Sequence, residues 1–246
     1  MRNKLLFLAL PLLFGLQASA QHIQAFQDTT LTDEQRVEHL LSILTLDEKI
    51  NLLSTDLGVP RFNIPRCGHY EGLHGLTLGG PAMWGGRQRT EDGKVVPTDC
   101  PTTIFPQSYG LGSTWDTDLV QKVAEQAAEE ARYYMQTTGN KRHALVMRAP
   151  NADLARDPRW GRVSEGSGED PFLGGAIAKA MVYGYQGANL DDQLKRNDEI
   201  LACVKHFALY GAGEAGRDYN TVDMSRNRMF NEYMYPYEAV SYTHLR

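Results

Sequence analysis

Cysteine is scarce in this sequence, and the three residues present cannot all pair with one another. No Cys-x-x-Cys or His-Glu-x-x-His spacing occurs, so the sequence indicates no metal site, and we expect no cofactor. Positive charge is not in excess either. The formal net charge of -5 gives no reason to expect nucleic acid or an anionic membrane surface as a partner. What remains is a chain of 246 residues, enough for one large α/β domain or two small ones.

The N-terminus has the three parts of a secretory signal peptide. Residues 1–4 form a basic start with Arg2 and Lys4, residues 5–16 form an apolar run, and Ala18-Ser19-Ala20 is a small-x-small cleavage pattern. The apolar run is too short to span a membrane. We therefore expect residues 1–20 to be removed and the mature protein to be periplasmic or extracellular.

The sequence leaves the pairing of two cysteines undecided and predicts the environment of the third. Cys67 and Cys100 can form a disulfide in an exported chain, but the sequence does not decide whether they do. Cys203 lies in the apolar run Ile200–Val204, which predicts a buried and unreactive core residue.

Local signals predict several helices. Thr32, Thr45 (in a capping box with Glu48), Asp116 and Asp170 each precede a helical pattern, and a last helix is predicted to begin at Asp223. The helix after Asp116 carries a long apolar stripe. Residues 87–99 are polar and predict an exposed loop.

Two apolar runs predict buried strands with both faces covered, one at residues 144–149 and one at residues 200–207. Strands alternate with helices, and polar residues follow each strand. The loops that follow the strands are where open α/β sheets and (β/α)8 barrels bind ligands. Lys205 and His206 stand at such a strand end, and a lysine entering a core run needs a partner or an aqueous pocket.

The segment from Arg148 to Pro171 carries nine charged residues and Trp160, and it reads either as a functional loop or as a salt-bridged surface loop. Glu71 and His74 similarly read as a polar ligand site or as a structural turn. The candidate pocket holds Glu71, Arg162, Lys205 and His206, with Asp153, Asp157, Glu165 and Arg217 nearby in sequence.

Three functions fit such a pocket. They are a sugar-processing enzyme, a secreted carbohydrate-binding or scaffold protein without chemistry, and a phosphosugar enzyme. Export argues against the last, because phosphorylated metabolites are mostly intracellular. The glycine-rich segment 210–220 also lacks the Gly-Lys-Ser/Thr ending of a phosphate loop.

The central segment resembles the signature of glycoside hydrolase family 3. It contains Ala-Pro at 149–150, Arg-Asp-Pro-Arg-Trp-Gly-Arg at 156–162 and Gly-Glu-Asp-Pro at 168–171. Glu-Gly-Leu-His-Gly at 71–75 and Lys-His-Phe at 205–207 match in the same order. The similarity covers about residues 32–240.

This resemblance implies an α/β fold of the (β/α)8, TIM-barrel type, and exo-acting, retaining hydrolysis of β-linked glucosides or xylosides. It implies that Arg162, Lys205 and His206 hold sugar hydroxyls, with Glu71 as an acceptor and Arg217 assisting. Residues 208–222 contain no histidine, which argues against the N-acetylglucosaminidase subgroup. The partner expected is a β-linked oligosaccharide or glycoside.

The resemblance also implies something about the end of the chain. The family's nucleophile and acid/base are expected beyond Arg246, and an intact barrel takes about 250 residues. We therefore expect residues 21–240 to be a barrel domain truncated before completion, inactive without the C-terminal part of its own chain. Residues 241–246 match no expected family sequence and are predicted to be an anomalous tail.

Overall fold

The computed structural model describes residues 24–54, 58–65, 68–77, 87–89, 95–97, 101–137, 146–189 and 191–244. The predicted signal peptide, Cys67, Cys100 and the first residues of the strand predicted at 144 lie outside these ranges. The chain forms two compact units, Met1–Thr55 and Asp56–Arg246. Within the described ranges, no helix is both long enough and apolar enough to cross a bilayer.

The described residues contain seven α-helices, and local capping sets the start of four of them. The helices are α1 (Asp33–Ile43), α2 (Leu46–Leu52), α3 (Ser108–Gly112), α4 (Thr117–Thr137), α5 (Pro171–Gln186), α6 (Arg226–Arg228) and α7 (Tyr235–His244). Thr32, Thr45, Asp116 and Asp170 each accept a hydrogen bond from the backbone N–H three residues later. These four predicted helix starts are confirmed.

The last predicted helix differs from its prediction. Its cap is Ser225, which accepts from the N–H of Arg228 at 3.2 Å, and not Asp223. The helix is divided into α6, a π-helical turn at Met229–Tyr233, and α7. Pro236 has no N–H to donate to the preceding turn, which fits an interruption there. Helix α7 continues through residues 241–244, four of the six residues predicted as an anomalous tail.

The strands are β1 (His69–Glu71), β2 (Arg87–Arg89), β3 (Val95–Pro97), β4 (Val146–Arg148) and β5 (Leu201–Ala202). Strands β1, β4 and β5 form a parallel sheet in the order β1-β4-β5. The register pairs Glu71 with Arg148 and Val146 with Leu201. Parallel strands that alternate with helices agree with the predicted α/β fold.

The strand predicted over residues 200–207 was too long. Regular pairing stops after Ala202, although the N–H of Lys205 still donates to the carbonyl of Pro150 at 3.0 Å. Pro150 has no N–H of its own, so it cannot return a ladder hydrogen bond. Lys205 and His206 therefore lie in an irregular segment just beyond the strand.

Three strands were missed or wrongly predicted from the sequence. Strand β1 has only one buried residue, Tyr70, and so lacks the apolar run from which a buried strand is predicted. Strands β2 and β3 pair antiparallel within the region predicted to be an exposed loop. Asp92-Gly93, which lies between them in the sequence, is a dipeptide typical of hairpin turns.

Helix α5 is the centre of the packing, because it contacts both α4 and α7. Ile177, Met181 and Tyr185 join the main core with α4 and with the buried side of the sheet. Ala178 and Val182 face α7 and pack with Val240. Each fully buried aliphatic side chain contributes about 1.5–3 kcal/mol by leaving water.

The sheet has one covered face and one open face, which corrects the prediction that both are covered. Tyr70 and Met147 are buried in the core with α4 and α5. On the other face Leu201 is 39% exposed and Cys203 is exposed. Cys203 is therefore not the buried core residue that its apolar run suggested, because alternate residues of a strand point to opposite faces.

Candidate functional site

The site begins at the ends of the parallel strands. Glu71 ends β1, Arg148 ends β4, and Lys205 follows β5. The carboxyl ends of parallel strands meet at one edge of a sheet. The Lys205 Nζ lies 3.2 Å from Glu71 Oε2, and the Arg148 Nη1 lies 3.6 Å from Glu71 Oε1. Three segments far apart in sequence thus form one charged group on the open face of the sheet.

The loop after β4 adds Arg162 and Glu165. The Arg162 guanidinium binds the Glu165 carboxylate through two hydrogen bonds of 2.6 Å each. Lys205 Nζ lies 3.7 Å from Glu165 Oε2, so this lysine stands between the Glu71 and Glu165 carboxylates. This pairing supplies the partners that a lysine next to a core run requires.

Trp160 anchors this loop. Its side chain is buried, its Nε1–H donates to Asp218 Oδ1 at 3.0 Å, and its ring packs edge-on against Tyr210 with centroids 5.3 Å apart. Tyr210 in turn lies with its hydroxyl 3.4 Å from Arg162 Nη1. A buried tryptophan and a paired charge network rule out a disordered loop and fit a built site.

His206 completes the group. Its Nδ1 lies 2.7 Å from Asp153 Oδ2, and its Nε2 lies 3.0 Å from Arg162 Nη2. Its ring packs edge-on against the ring of Tyr210, with the centroids 5.0 Å apart. Both ring nitrogens are therefore held by charged side chains.

The charges in the site stabilise one another. Burial works to raise the pKa of Glu165, but the hydrogen bonds from Arg162 and the positive charge of Lys205 outweigh it and lower that pKa below its usual value. The same hydrogen bonds raise the pKa of Arg162. Glu165 and Arg162 are therefore an ion pair at neutral pH.

The site is reachable by a ligand. The side chains of Glu71, Arg162, Lys205 and His206 are between 12% and 29% exposed. Donors and acceptors that are neither buried nor fully solvated can exchange their partners for those of a bound polar molecule.

Four of the five predicted binding residues come together in this site: Glu71, Arg162, Lys205 and His206. Arg217 is exposed, and within the described ranges its side chain makes no hydrogen bond or ion pair with them. Its assisting role stays a prediction. Arg148 was not predicted as a binding residue, although its place at the end of a strand is a signal that could have identified it.

The other candidates divide between the site and its surroundings. Asp153 and Glu165 belong to the site. Asp157 instead pairs with Arg159, whose hydrogen bonds lower the pKa of Asp157 to about 2. The Nδ1 of His74 lies 3.1 Å from the carbonyl oxygen of Phe105, which fits a structural turn.

A separate groove of about 470 Å³ lies near Arg156, Arg159 and Arg228. Arg156 and Arg228 both pair with Glu232. Because the positive charges in this groove already have partners, it offers less to a ligand than the group around Lys205.

Known proteins resemble this chain over most of its length. Residues 77–242 match the glycosyl hydrolase family 3 N-terminal domain. The periplasmic β-glucosidase of Salmonella typhimurium is 45% identical over 56% of the chain, and the xylan 1,4-β-xylosidase of Xylanibacter ruminicola is 32% identical over 93%. The chain spans 16% and 25% of the lengths of these two proteins.

Solved structures agree. A β-glucosidase from Listeria innocua, in complex with isofagomine, is 31% identical and superposes with a TM-score of 0.62. The match covers 86% of this chain and 31% of that one. The TIM-barrel-like α/β fold predicted from the sequence is thereby confirmed.

Proposed function

The chain belongs to glycosyl hydrolase family 3, and on this premise we propose that it supplies the sugar-binding part of an exo-acting, retaining β-glycosidase. The proposed substrates are β-linked glucosides or xylosides, since enzymes named for each are among the relatives. The proposed binding residues are Glu71, Arg162, Lys205 and His206, with Arg217 assisting from the neighbouring loop.

The observation that carries this proposal is the convergence of cationic donors and carboxylate acceptors around Lys205. A sugar ring presents several hydroxyls, each both donor and acceptor. Lys205 and Arg162 can donate to such hydroxyls, and Glu71 can accept from them. Hydrogen bonds of this kind orient the anomeric carbon and can strengthen in the transition state.

The same geometry supports a role of these residues in binding the sugar. It does not support hydrolysis by these residues alone. A retaining glycosidase needs one carboxylate as nucleophile and another as acid/base, about 5–5.5 Å apart. Glu71 and Glu165 are both engaged with Lys205, and Asp153 is buried against His206. We propose that the nucleophile and the acid/base lie beyond Arg246, since the chain spans only 16% and 25% of the lengths of the Salmonella and Xylanibacter relatives.

Export is part of the proposal. Residues 1–20 have the pattern of a signal peptide, and the Salmonella relative is named periplasmic. A periplasmic or extracellular enzyme of this kind would degrade oligosaccharides outside the cytoplasm.

A binding and turnover experiment tests the function. Purified chain is titrated with glucose and xylose by calorimetry, and its hydrolysis of p-nitrophenyl β-glucoside and β-xyloside is measured. We expect the wild type to bind at least one sugar saturably and to hydrolyse neither glycoside. Lys205→Ala should weaken this binding at least about tenfold, because it removes a charged hydrogen bond.

Lys195→Ala is the matched control, because Lys195 forms an exposed ion pair with Asp192 at 2.7 Å and lies outside the site. Its sugar affinity should equal that of the wild type. Absence of binding to both sugars would refute the sugar-binding assignment. Hydrolysis by the wild type that disappears in Lys205→Ala would show that a catalytic carboxylate is already within these residues.

A further inference from the structure

The side chain of Asp153 is 1% exposed and lies against the proposed sugar site. Its Oδ2 lies 2.7 Å from the Nδ1 of His206 and also accepts from the backbone N–H of His206 at 3.3 Å. Its Oδ1 accepts from the hydroxyl of Tyr237 on α7 at 3.3 Å. One buried carboxylate thus joins the segment after β5 to the last helix.

An ionised carboxylate can only accept hydrogen bonds. The nitrogen that faces it must therefore carry the proton. Tyr237 donates its hydroxyl to the same carboxylate, and burial, followed by the charge of Asp153, raises the pKa of Tyr237.

We propose that Asp153 is a positioning residue that holds the proton of His206 on Nδ1, so that Nε2 faces the sugar site as a hydrogen-bond acceptor. The inference rests on the proposed function for its biological meaning. Its geometry is independent of catalysis.

The acceptor nitrogen has a consequence for the ligand. In the present structure Nε2 meets the Arg162 Nη2, which can only donate. A group that enters between the two side chains must accept from Arg162 and donate to Nε2. A hydroxyl does both, whereas a carboxylate or an ether oxygen can only accept. The Asp153–His206 pair would therefore select for hydroxyls at this position.

Arg162 also favours a proton on Nδ1, so the roles of Asp153 and Arg162 must be separated. Asp153 is buried and closer to the ring, while the guanidinium is 24% exposed and already bound in a bidentate pair to Glu165. Other groups near the ring are Glu165 and the ring of Tyr210. We expect the buried charge to dominate, because charge-assisted hydrogen bonds are stronger in a low-dielectric interior.

Imidazole nitrogen NMR tests the inference without any sugar. The chain is labelled with ¹⁵N and measured at about pH 8, above the ordinary pKa range of histidine. The His206 signals are identified by their loss in His206→Gln. We expect the wild type to carry its proton on Nδ1, Arg162→Gln and Tyr237→Phe to keep that tautomer, and Asp153→Ala to populate the Nε2 tautomer.

Three results would overturn the proposal. The first is a wild-type ring protonated on Nε2 or on both nitrogens. The second is a tautomer that changes in Arg162→Gln, which would assign control to Arg162. The third is a folded Asp153→Ala chain with an unchanged tautomer. If Asp153→Ala does not fold, the wild-type and Arg162→Gln spectra still decide. None of these results depends on whether the chain binds or hydrolyses a sugar.

Discussion

Lys205 illustrates what a single residue can reveal at the scale of side chains. Placed after an apolar run, a lysine must find a carboxylate or water. The structure gives it two carboxylates, Glu71 and Glu165, which come from different segments. The sequence predicted the need for a partner and named Glu71 as a neighbour. Asp153 as the partner of His206 was not predicted, because 53 residues separate them and no local pattern links them.

Glu165 gives a pH prediction. Its pKa is lowered in the folded chain, so the folded state binds this proton less tightly than the unfolded state. Its contribution to stability is present above the unfolded pKa, about 4.3, and is lost as the pH falls through the lower folded value. We expect Glu165→Gln to lower the free energy of unfolding by about 1–2 kcal/mol at neutral pH, and the deficit to shrink in acid.

Urea unfolding at about pH 7 and at about pH 3 measures this difference. Glu169→Gln is the control, since Glu169 is exposed and its substitution should change stability by less than about 0.5 kcal/mol. A deficit of Glu165→Gln that is the same at both pH values would contradict the prediction.

At the scale of elements, α5 determines how closely its neighbours pack. A Cβ at Gly184 would lie 2.4 Å from the carbonyl oxygen of Gln121 on α4, so only glycine permits this close approach. Gly174 on the same helix has room for a Cβ, which would make ordinary van der Waals contact with a methyl of Leu154 at 3.7 Å. The sequence predicted α4 and α5 but not the point at which they touch.

We expect Gly184→Ala to lower the free energy of unfolding by about 1–3 kcal/mol, because the backbone of α4 must move away. Gly174→Ala is the matched control and should raise stability by up to about 1 kcal/mol, the gain of alanine over glycine within a helix. Thermal unfolding of both variants compares them. Equal effects at the two positions would show that the helices do not meet at Gly184.

Helix α5 also holds the turn that follows Glu71. The hydroxyl of Tyr185 is fully buried and donates to the carbonyl oxygen of Gly72 at 2.6 Å. Tyr185→Phe leaves this carbonyl without its donor, which should cost about 1–3 kcal/mol and weaken sugar binding through a displaced Glu71. Tyr183→Phe, which retains the ring beneath Lys179, should change neither property. Unfolding and sugar titration of both variants check this, and an unchanged Tyr185→Phe would refute it.

At the scale of the whole molecule, the open face of the sheet explains both the position of the site and the exposure of Cys203. Leu201 and Cys203 share that face with the residues that end β1 and β4. A face open to solvent can carry charged side chains, whereas the face under α4 and α5 carries Tyr70 and Met147. The apolar run alone suggested burial on both sides.

We expect Cys203 to react with a thiol reagent in the native chain nearly as fast as in urea, because its side chain is exposed. The signal of Cys203 is the difference between the wild type and Cys203→Ser. Slow reaction of this residue in the native chain would show that the open face is covered in solution.

Some features of this protein follow from the sequence by itself. The helix starts at Thr32, Thr45, Asp116 and Asp170 depend on contacts within three residues, and such contacts form wherever the local chain turns into a helix. Long sequence motifs likewise identified the family. The position of Lys205 and His206 at the end of a predicted strand marked them as candidate binding residues.

Only the tertiary structure decided the rest. Strand β1, the Glu71–Arg148 pair, the exposure of Cys203 and the contact of Asp153 with His206 all join or compare segments that lie far apart in the chain. Lys205 and Glu71 are separated by 134 positions. Their meeting depends on which strands pair and which face the helices cover, and no local periodicity encodes that choice.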